Sequence, residues 1–126
     1  MLDTVTWLWL DSDPDRIPGP ILRQLQRSES ELYLSVASAW EIAIKYSLGK
    51  LPLPNRPARY VPAALERMRV VPLRIEQSHA LAVADLPRHH ADPFDRLLIV
   101  QAQIEKLAIV TPDSQFDAYE VELVRI

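Results

Sequence analysis

His90-Ala91-Asp92-Pro93-Phe94-Asp95-Arg96-Leu97-Leu98-Ile99-Val100-Gln101-Ala102 opens a helix on two carboxylates and then turns apolar. Asp92 occupies the N-cap position. Pro93 takes the first helical position, where its missing N–H costs nothing, and Asp95 the third, near the positive end of the helix dipole. Phe94, Leu97, Leu98, Val100 and Ile104 are expected to face inward, with the helix closing near Lys106. An acidic cap followed by Pro is ordinary helix-start chemistry. The stretch acquires a further meaning only if the fold brings other carboxylates to the same place, and Asp3, Glu41 and Asp113 are the candidates.

With 126 residues, 48% hydrophobic and 25% charged, the chain has the size and composition of one globular domain, read as residues 1–126. No apolar run approaches the roughly 18 residues of a membrane span. The amino end lacks a secretory-signal pattern, and the absence of cysteine excludes disulfides and thiolate metal sites. A cytoplasmic location without membrane contact is the expectation. The net charge of −3 conceals an uneven distribution. Seven basic residues (Lys45, Lys50, Arg56, Arg59, Arg67, Arg69, Arg74) lie between positions 45 and 74 against one acid, Glu66, and the remainder is correspondingly acidic. A basic face beside an acidic pocket suits a phosphodiester held by its backbone, with Arg56, Arg59, Arg67 and Arg69 as candidate phosphate contacts; a solvated surface of scattered arginines is the plain alternative.

Met1-Leu2-Asp3-Thr4 is too short for a full strand but ends on Asp-Thr just before the apolar run Val5 to Leu10. Asp3 is therefore either a strand-end ligand of the kind open α/β sheets use or a helix N-cap. Trp7 and Trp9 cannot share one helical face, so one is read as core and the other as awaiting a partner. Pro20 to Arg27 reads as a short helix, and Glu31 to Val36 alternates like a strand. Ser35 or Ser38 can cap the helix that carries Ala39-Trp40-Glu41-Ile42-Ala43-Ile44-Lys45 and closes at Gly49. Glu41 and Lys45 have ion-pair spacing, yet Trp40, Ile42 and Ile44 around Glu41 imply that much of this helix is buried, where a carboxylate needs a partner or a cation. A helix from Ala58 to Arg67, a strand at Val70 to Leu73 and a helix from Glu76 to Ala84 follow. His79 reads as a packed or surface histidine. His89 and His90, neighbours in an extended segment, are expected to point opposite ways and are not read as metal ligands. Ala108 to Thr111 reads as a buried parallel strand with Asp113 just beyond its end, and Tyr119 to Ile126 as a last edge strand.

Short apolar strands alternating with amphipathic helices predict an α/β fold, a parallel central sheet covered by helices on both faces. In such a sheet Asp3, Asp95 and Asp113 can converge on one edge, with Glu41 reaching in from its own helix. Like charges gathered this way require a cation. Oxygen ligands without cysteine select a hard one, Mg²⁺ or Mn²⁺, which polarises phosphoryl oxygens and acidifies bound water.

Leu2-Asp3-Thr4, Ser38-Ala39-Trp40-Glu41-Ile42-Ala43-Ile44-Lys45 with Gly49-Lys50-Leu51, Asp92-Pro93-Phe94-Asp95-Arg96-Leu97-Leu98-Ile99, and Val110-Thr111-Pro112-Asp113 with Phe116 together resemble the successive motifs of PIN-domain ribonucleases, and more closely the VapC-type toxins of toxin–antitoxin pairs. The resemblance implies a Mg²⁺-dependent endoribonuclease with the acidic quartet Asp3, Glu41, Asp95 and Asp113. It makes Asp3 and Asp95 the principal metal ligands, and gives Glu41 and Asp113 a second ion or the attacking water to orient. Asp92 and Thr111 become supporting groups. It further implies an RNA substrate, a cognate VapB-type antitoxin and a toxin homodimer. Two departures stand out: little strand precedes Asp3, and Val5 stands where many relatives have His.

A catalytically inactive partner-binding module, its acids reduced to structural caps, is the competing reading, although all four acids are present. A receiver-like phosphoacceptor domain matches in size only. Receivers want paired acids after the first strand and a Lys near the last, whereas Thr4 follows Asp3 and no Lys occurs after Lys106.

Overall fold

A computed structural model describes residues 1–126. Its helices are α1 (Thr4–Ser12), α2 (Gly19–Leu25), α3 (Val36–Ser47), α4 (Pro57–Met68), α5 (Gln77–Ala82) and α6 (Pro93–Glu105). Its strands are β1 (Leu32–Ser35), β2 (Val70–Leu73), β3 (Ile109–Thr111) and β4 (Leu123–Arg125). β1 pairs with β2 and β3 with β4, both in parallel. Leu2 joins the two halves, bridging in parallel to Leu34 on one side and Val110 on the other. The resulting order is β2, β1, Leu2, β3, β4, with Leu2 N–H donating to Tyr33 O at 2.9 Å and Asp3 N–H to Val110 O at 3.1 Å. This central rung is no longer because Asp3 already caps α1: its Oδ1 accepts from Thr6 N–H at 2.8 Å, and helical backbone begins at Thr4.

Alternation along the strands sorts side chains onto two faces. Leu2, Leu34, Val70 and Val110 pack under Trp7, Leu25, Tyr60, Val61 and Ala64, which come from α1, α2 and α4. Met1 and Ile109 point the other way, toward Leu98, Ile99, Val100 and Ala102 of α6 together with Phe116 and Tyr119. The expected parallel sheet with helices on both faces forms, and α3 spans its edge, giving Ala37 to one core and Ile42 to the other. Trp7 is fully buried edge-on to Tyr60 at 5.8 Å, whereas the Arg16 guanidinium lies over the Trp9 ring at 5.1 Å. The partner awaited by the second tryptophan thus comes from the same chain.

Several local expectations are corrected. Ile104 is 43% exposed, because α6 has turned past the sheet by its last turn. Trp40 is 59% exposed although it precedes a buried Glu41, since α3 buries one face only. β1 stops at Ser35, whose Oγ accepts from Ala37 N–H at 3.0 Å and starts α3 at Val36. The predicted Glu76–Ala84 helix is α5 followed by a 3₁₀ turn at Val83–Asp85. His79, read as a packed or surface histidine, is packed: its Nδ1 accepts from Glu76 N–H at 2.9 Å, and its Nε2 faces Glu105 Oε1 at 2.8 Å.

Two polar side chains on α6 are buried where the apolar pattern gave no place for them. Gln101 Oε1 accepts from Ser35 Oγ at 2.5 Å, and its amide donates to Arg74 O at 3.1 Å. Arg96 donates to the carbonyls of Pro87 at 2.8 Å, Leu86 at 3.0 Å and Val83 at 3.3 Å, tying the turn after α5 to the start of α6. Arg96→Met keeps the stem but leaves those carbonyls without a donor. It is expected to cost about 2 kcal/mol in urea unfolding; an unchanged midpoint would show that water serves them equally well.

Candidate metal-binding cleft

In a parallel sheet the strand carboxyl ends share one edge, and the helices that follow begin there. Asp3 follows the central rung, Asp113 follows β3, and Asp92 and Asp95 open α6. Asp3, Glu41, Asp92, Asp95 and Asp113 line one cleft of about 390 Å³, together with Thr4, Val5, Leu8, Leu51, Lys45 and Lys50. Three of these acids are helix caps. Asp3 Oδ1 caps α1, Asp92 Oδ1 accepts from Phe94 N–H at 2.9 Å and Asp95 N–H at 3.1 Å, and Asp113 Oδ1 accepts from Gln115 N–H at 2.9 Å at the start of a 3₁₀ turn. Capping and cleft-lining are therefore not alternatives.

Thr111 connects two of the acids. Its buried hydroxyl donates to Asp3 Oδ2 at 2.5 Å and accepts from Asp113 N–H at 3.0 Å. Glu41 is only 8% exposed and meets Lys45 Nζ at 3.0 Å, the i,i+4 pair that the spacing predicts, here at the cleft wall. Thr4 Oγ1 donates to Ser38 Oγ at 2.9 Å, fastening the start of α1 to α3.

The electrostatics are those of an acid cluster with an excess of negative charge, five carboxylates against Lys45 and Lys50. Burial, then repulsion from Asp92, Glu41, Asp113 and Asp3, pushes the Asp95 carboxyl up to about 7. Burial also raises Asp3, against the opposing pull of its hydrogen bonds from Thr111 and Thr6. In this conformation no three acidic or histidine side chains converge tightly enough to enclose a cation. That is the arrangement expected of mutually repelling carboxylates, of which Asp3, Asp92 and Asp113 hold caps and Glu41 a lysine. The donor set is all hard oxygen, and the raised Asp95 marks negative charge that a divalent cation would neutralise; the residues fit Mg²⁺ or Mn²⁺.

The basic candidates divide. Arg67 and Arg69 line a different cleft with Arg27, Ser30 and Leu32, at the amino ends of β1 and β2. That cleft lies at the opposite edge of the sheet from the acids, and Arg67 is engaged by Asp11 at 2.5 Å. The structure thus does not bring these two arginines to the acids. Arg56 and Arg59 are exposed at the first turn of α4. The cations that do line the acidic cleft are Lys45 and Lys50, which charge counting over the segment did not single out.

His90 and Tyr119 were also missed. The chain bends at His89, so the two histidine rings do not diverge: both sit edge-on to Tyr119, at 4.9 Å for His89 and 5.3 Å for His90. His90 thereby lies beside Asp95, with Nε2 3.5 Å from Asp95 Oδ2.

The sequence matches the PIN domain family over residues 1–122. The chain belongs to the PIN-domain family. Within this PIN domain, a stretch of 55 residues is 47% identical to ribonuclease VapC16 of Mycobacterium tuberculosis, covering 44% of this chain and 39% of that protein. The match thus spans well under half of the relative's length. The fold is also that of a chain in the crystal structure of VapBC2 from Rickettsia felis bound to a DNA fragment from their promoter, with a TM-score of 0.75, 15% identity, and coverage of 99% of this PIN domain and 96% of that chain. No helix of the PIN domain is long and apolar enough to cross a membrane.

Proposed function

We propose that this PIN domain is a divalent-cation-dependent endoribonuclease, the toxin of a VapBC-type toxin–antitoxin pair acting in the cytoplasm. The observation that carries the reading is the set of five carboxylates lining one cleft, with Asp95 raised to about 7 by burial and by the other four. The partial identity to a ribonuclease VapC16 and the shared fold with a VapBC2 chain support the choice of reaction and partner.

In this reading Asp3 and Asp95 are the principal ligands of Mg²⁺ or Mn²⁺, and Glu41 and Asp113 serve a second ion or orient the attacking water. A cation held there would supply Lewis-acid chemistry, polarising a phosphoryl oxygen and lowering the pKa of a bound water. The chain's own side chains prepare that chemistry. Thr111 fixes the Asp3 carboxylate from one side while Thr6 N–H fixes it from the other, so each oxygen is oriented and retains a lone pair. Lys45 screens Glu41 from its neighbours, and Asp92 holds the first turn of α6 and with it the Asp95 backbone. Lys50, at the cleft wall, is placed to hold an RNA phosphate. A cognate VapB-type antitoxin and a second copy of the chain complete the reading, and the exposed Trp40, edge-on to Phe94 at 5.2 Å, is apolar surface beside the acids for such a partner to cover.

The direct test is incubation of the purified protein with tRNA and other structured RNAs, with and without Mg²⁺ or Mn²⁺. Cuts that require the metal are expected; absence of both cleavage and calorimetric metal binding would instead favour the inactive partner-binding module. For substrate contacts, Lys50→Ala is expected to lower the slope of log affinity against log salt by about 0.7, one single-strand phosphate, and Arg69→Asn to leave it unchanged. The reverse result would move the RNA to the other edge of the sheet.

A further inference from the structure

Behind Asp95 lies a chain of polar groups that neither capping nor the acid quartet uses. Tyr119, only 7% exposed, sits at its centre. The Tyr119 hydroxyl is 2.8 Å from His90 Nδ1, 3.2 Å from His90 N–H and 3.4 Å from Arg96 Nη1. A backbone amide and a guanidinium can only donate, so they fill the oxygen's acceptor sites, and its one proton is left for His90 Nδ1. With Nδ1 accepting, a neutral imidazole carries its hydrogen on Nε2. That Nε2 is buried without a bonded partner, and Asp95 Oδ2 is the carboxylate it faces, at 3.5 Å. Arg96 in turn is held by the carbonyls of Val83, Leu86 and Pro87, so the array is anchored in backbone at its far end.

We propose that His90 is a positioning residue for Asp95, presenting Nε2–H to Oδ2 because the Tyr119 hydroxyl occupies Nδ1. The inference rests on the reading of Asp95 as a metal ligand. It gives the second histidine of the His89-His90 pair a role without making it a ligand. An imidazole N–H facing one carboxylate oxygen restricts the rotation of that carboxylate, which lowers the ordering cost of capturing a cation. Outer-shell partners of this kind commonly change metal affinity tenfold or more.

The test uses the whole protein and Mn²⁺ alone as the probe. ¹⁵N NMR of wild type is expected to show His90 protonated at Nε2 and bare at Nδ1; the opposite tautomer overturns the proposal. By calorimetry, Tyr119→Phe and His90→Phe should each weaken Mn²⁺ binding about tenfold, with the double variant no worse than His90→Phe alone. His90→Gln, whose amide can present a donor near the Nε2 position, should recover most of the loss, which a merely space-filling role would not require. Tyr119→Phe removes one oxygen and keeps the ring, so its fold is expected to survive if that of His90→Phe does not. Full affinity in both phenylalanine variants, with binding lost in Asp95→Asn, overturns the positioning role alone. Full affinity in Asp95→Asn itself would instead remove the ligand reading beneath it.

Discussion

Asp95→Asn is expected to lower metal-dependent RNA cleavage by about a thousandfold, equivalent to about 4 kcal/mol of transition-state stabilisation, while making the metal-free protein more stable. Asn keeps the size and the helical position, so the backbone of α6 has no reason to move. What disappears is one negative charge from a group that burial and four neighbouring carboxylates already oppose. Discounted for its partly exposed position, the gain at pH 8 is about 1–2 kcal/mol, several degrees in thermal midpoint for a chain of this size. Cleavage of tRNA in Mg²⁺ and thermal unfolding in EDTA measure the two halves. A variant that cleaves as well as wild type would end the assignment of Asp95; one that is inactive but also destabilised would mean that Asp95 supports the fold.

Cation affinity should depend steeply on pH below neutrality. With Asp95 raised to about 7, proton and metal compete for the same carboxylate, so Mn²⁺ binding is expected to weaken about tenfold per pH unit below that value, and about thirtyfold between pH 8 and pH 5.5. Stability of the metal-free protein should move the other way. The folded value lies above the ordinary 3.8, so the contribution of this group is fully present below 3.8 and is lost as pH rises through about 7. Adding Mn²⁺ at pH 8 should restore what deprotonation removed, by mass action on the folded state. Calorimetric titrations at several pH values check the competition directly; an affinity flat from pH 5.5 to 7.5 would mean that Asp95 is not the group the metal displaces a proton from.

Much of this architecture is legible in the chain because its strands and helices carry strong local signals. The apolar run Ile109-Val110 after a helix, the Asp-Pro start of α6 and the serine before α3 each specify an element and its beginning. The placement of the aspartates is legible for the same reason: Asp3, Asp92 and Asp113 are caps and Asp95 lies in the first helical turn, so their positions are tied to element boundaries. Glu41, by contrast, stands in mid-helix and is marked only by the apolar residues around it. What escaped depends on contacts that no local pattern encodes. Arg96 and Gln101 look like surface residues of an amphipathic helix until the turn after α5 and the Ser35 hydroxyl supply partners. Lys50 follows a glycine turn whose direction decides whether it faces the acids. His90 was misread because alternation holds only for extended backbone, and a single bend at His89 cancels it. Trp40 shows the converse: apolar composition around Glu41 does not determine which side of α3 meets the core.

The seam at Leu2 bears on when the cleft comes into being. One residue joins the two halves of the sheet, and the amides that fix it reach Tyr33 and Val110. Asp3 is bound to Thr111 across 108 positions of sequence. Contacts of such separation carry the largest loop-closure cost and tend to form late. A chain made only as far as residue 108 lacks both the Val110 rung that holds Leu2 on one side and the Thr111 hydroxyl that orients Asp3. Assembly of the acidic centre thus waits on the last rungs of the sheet, and the charge on which the proposed activity depends is gathered only when nearly the whole domain has been made.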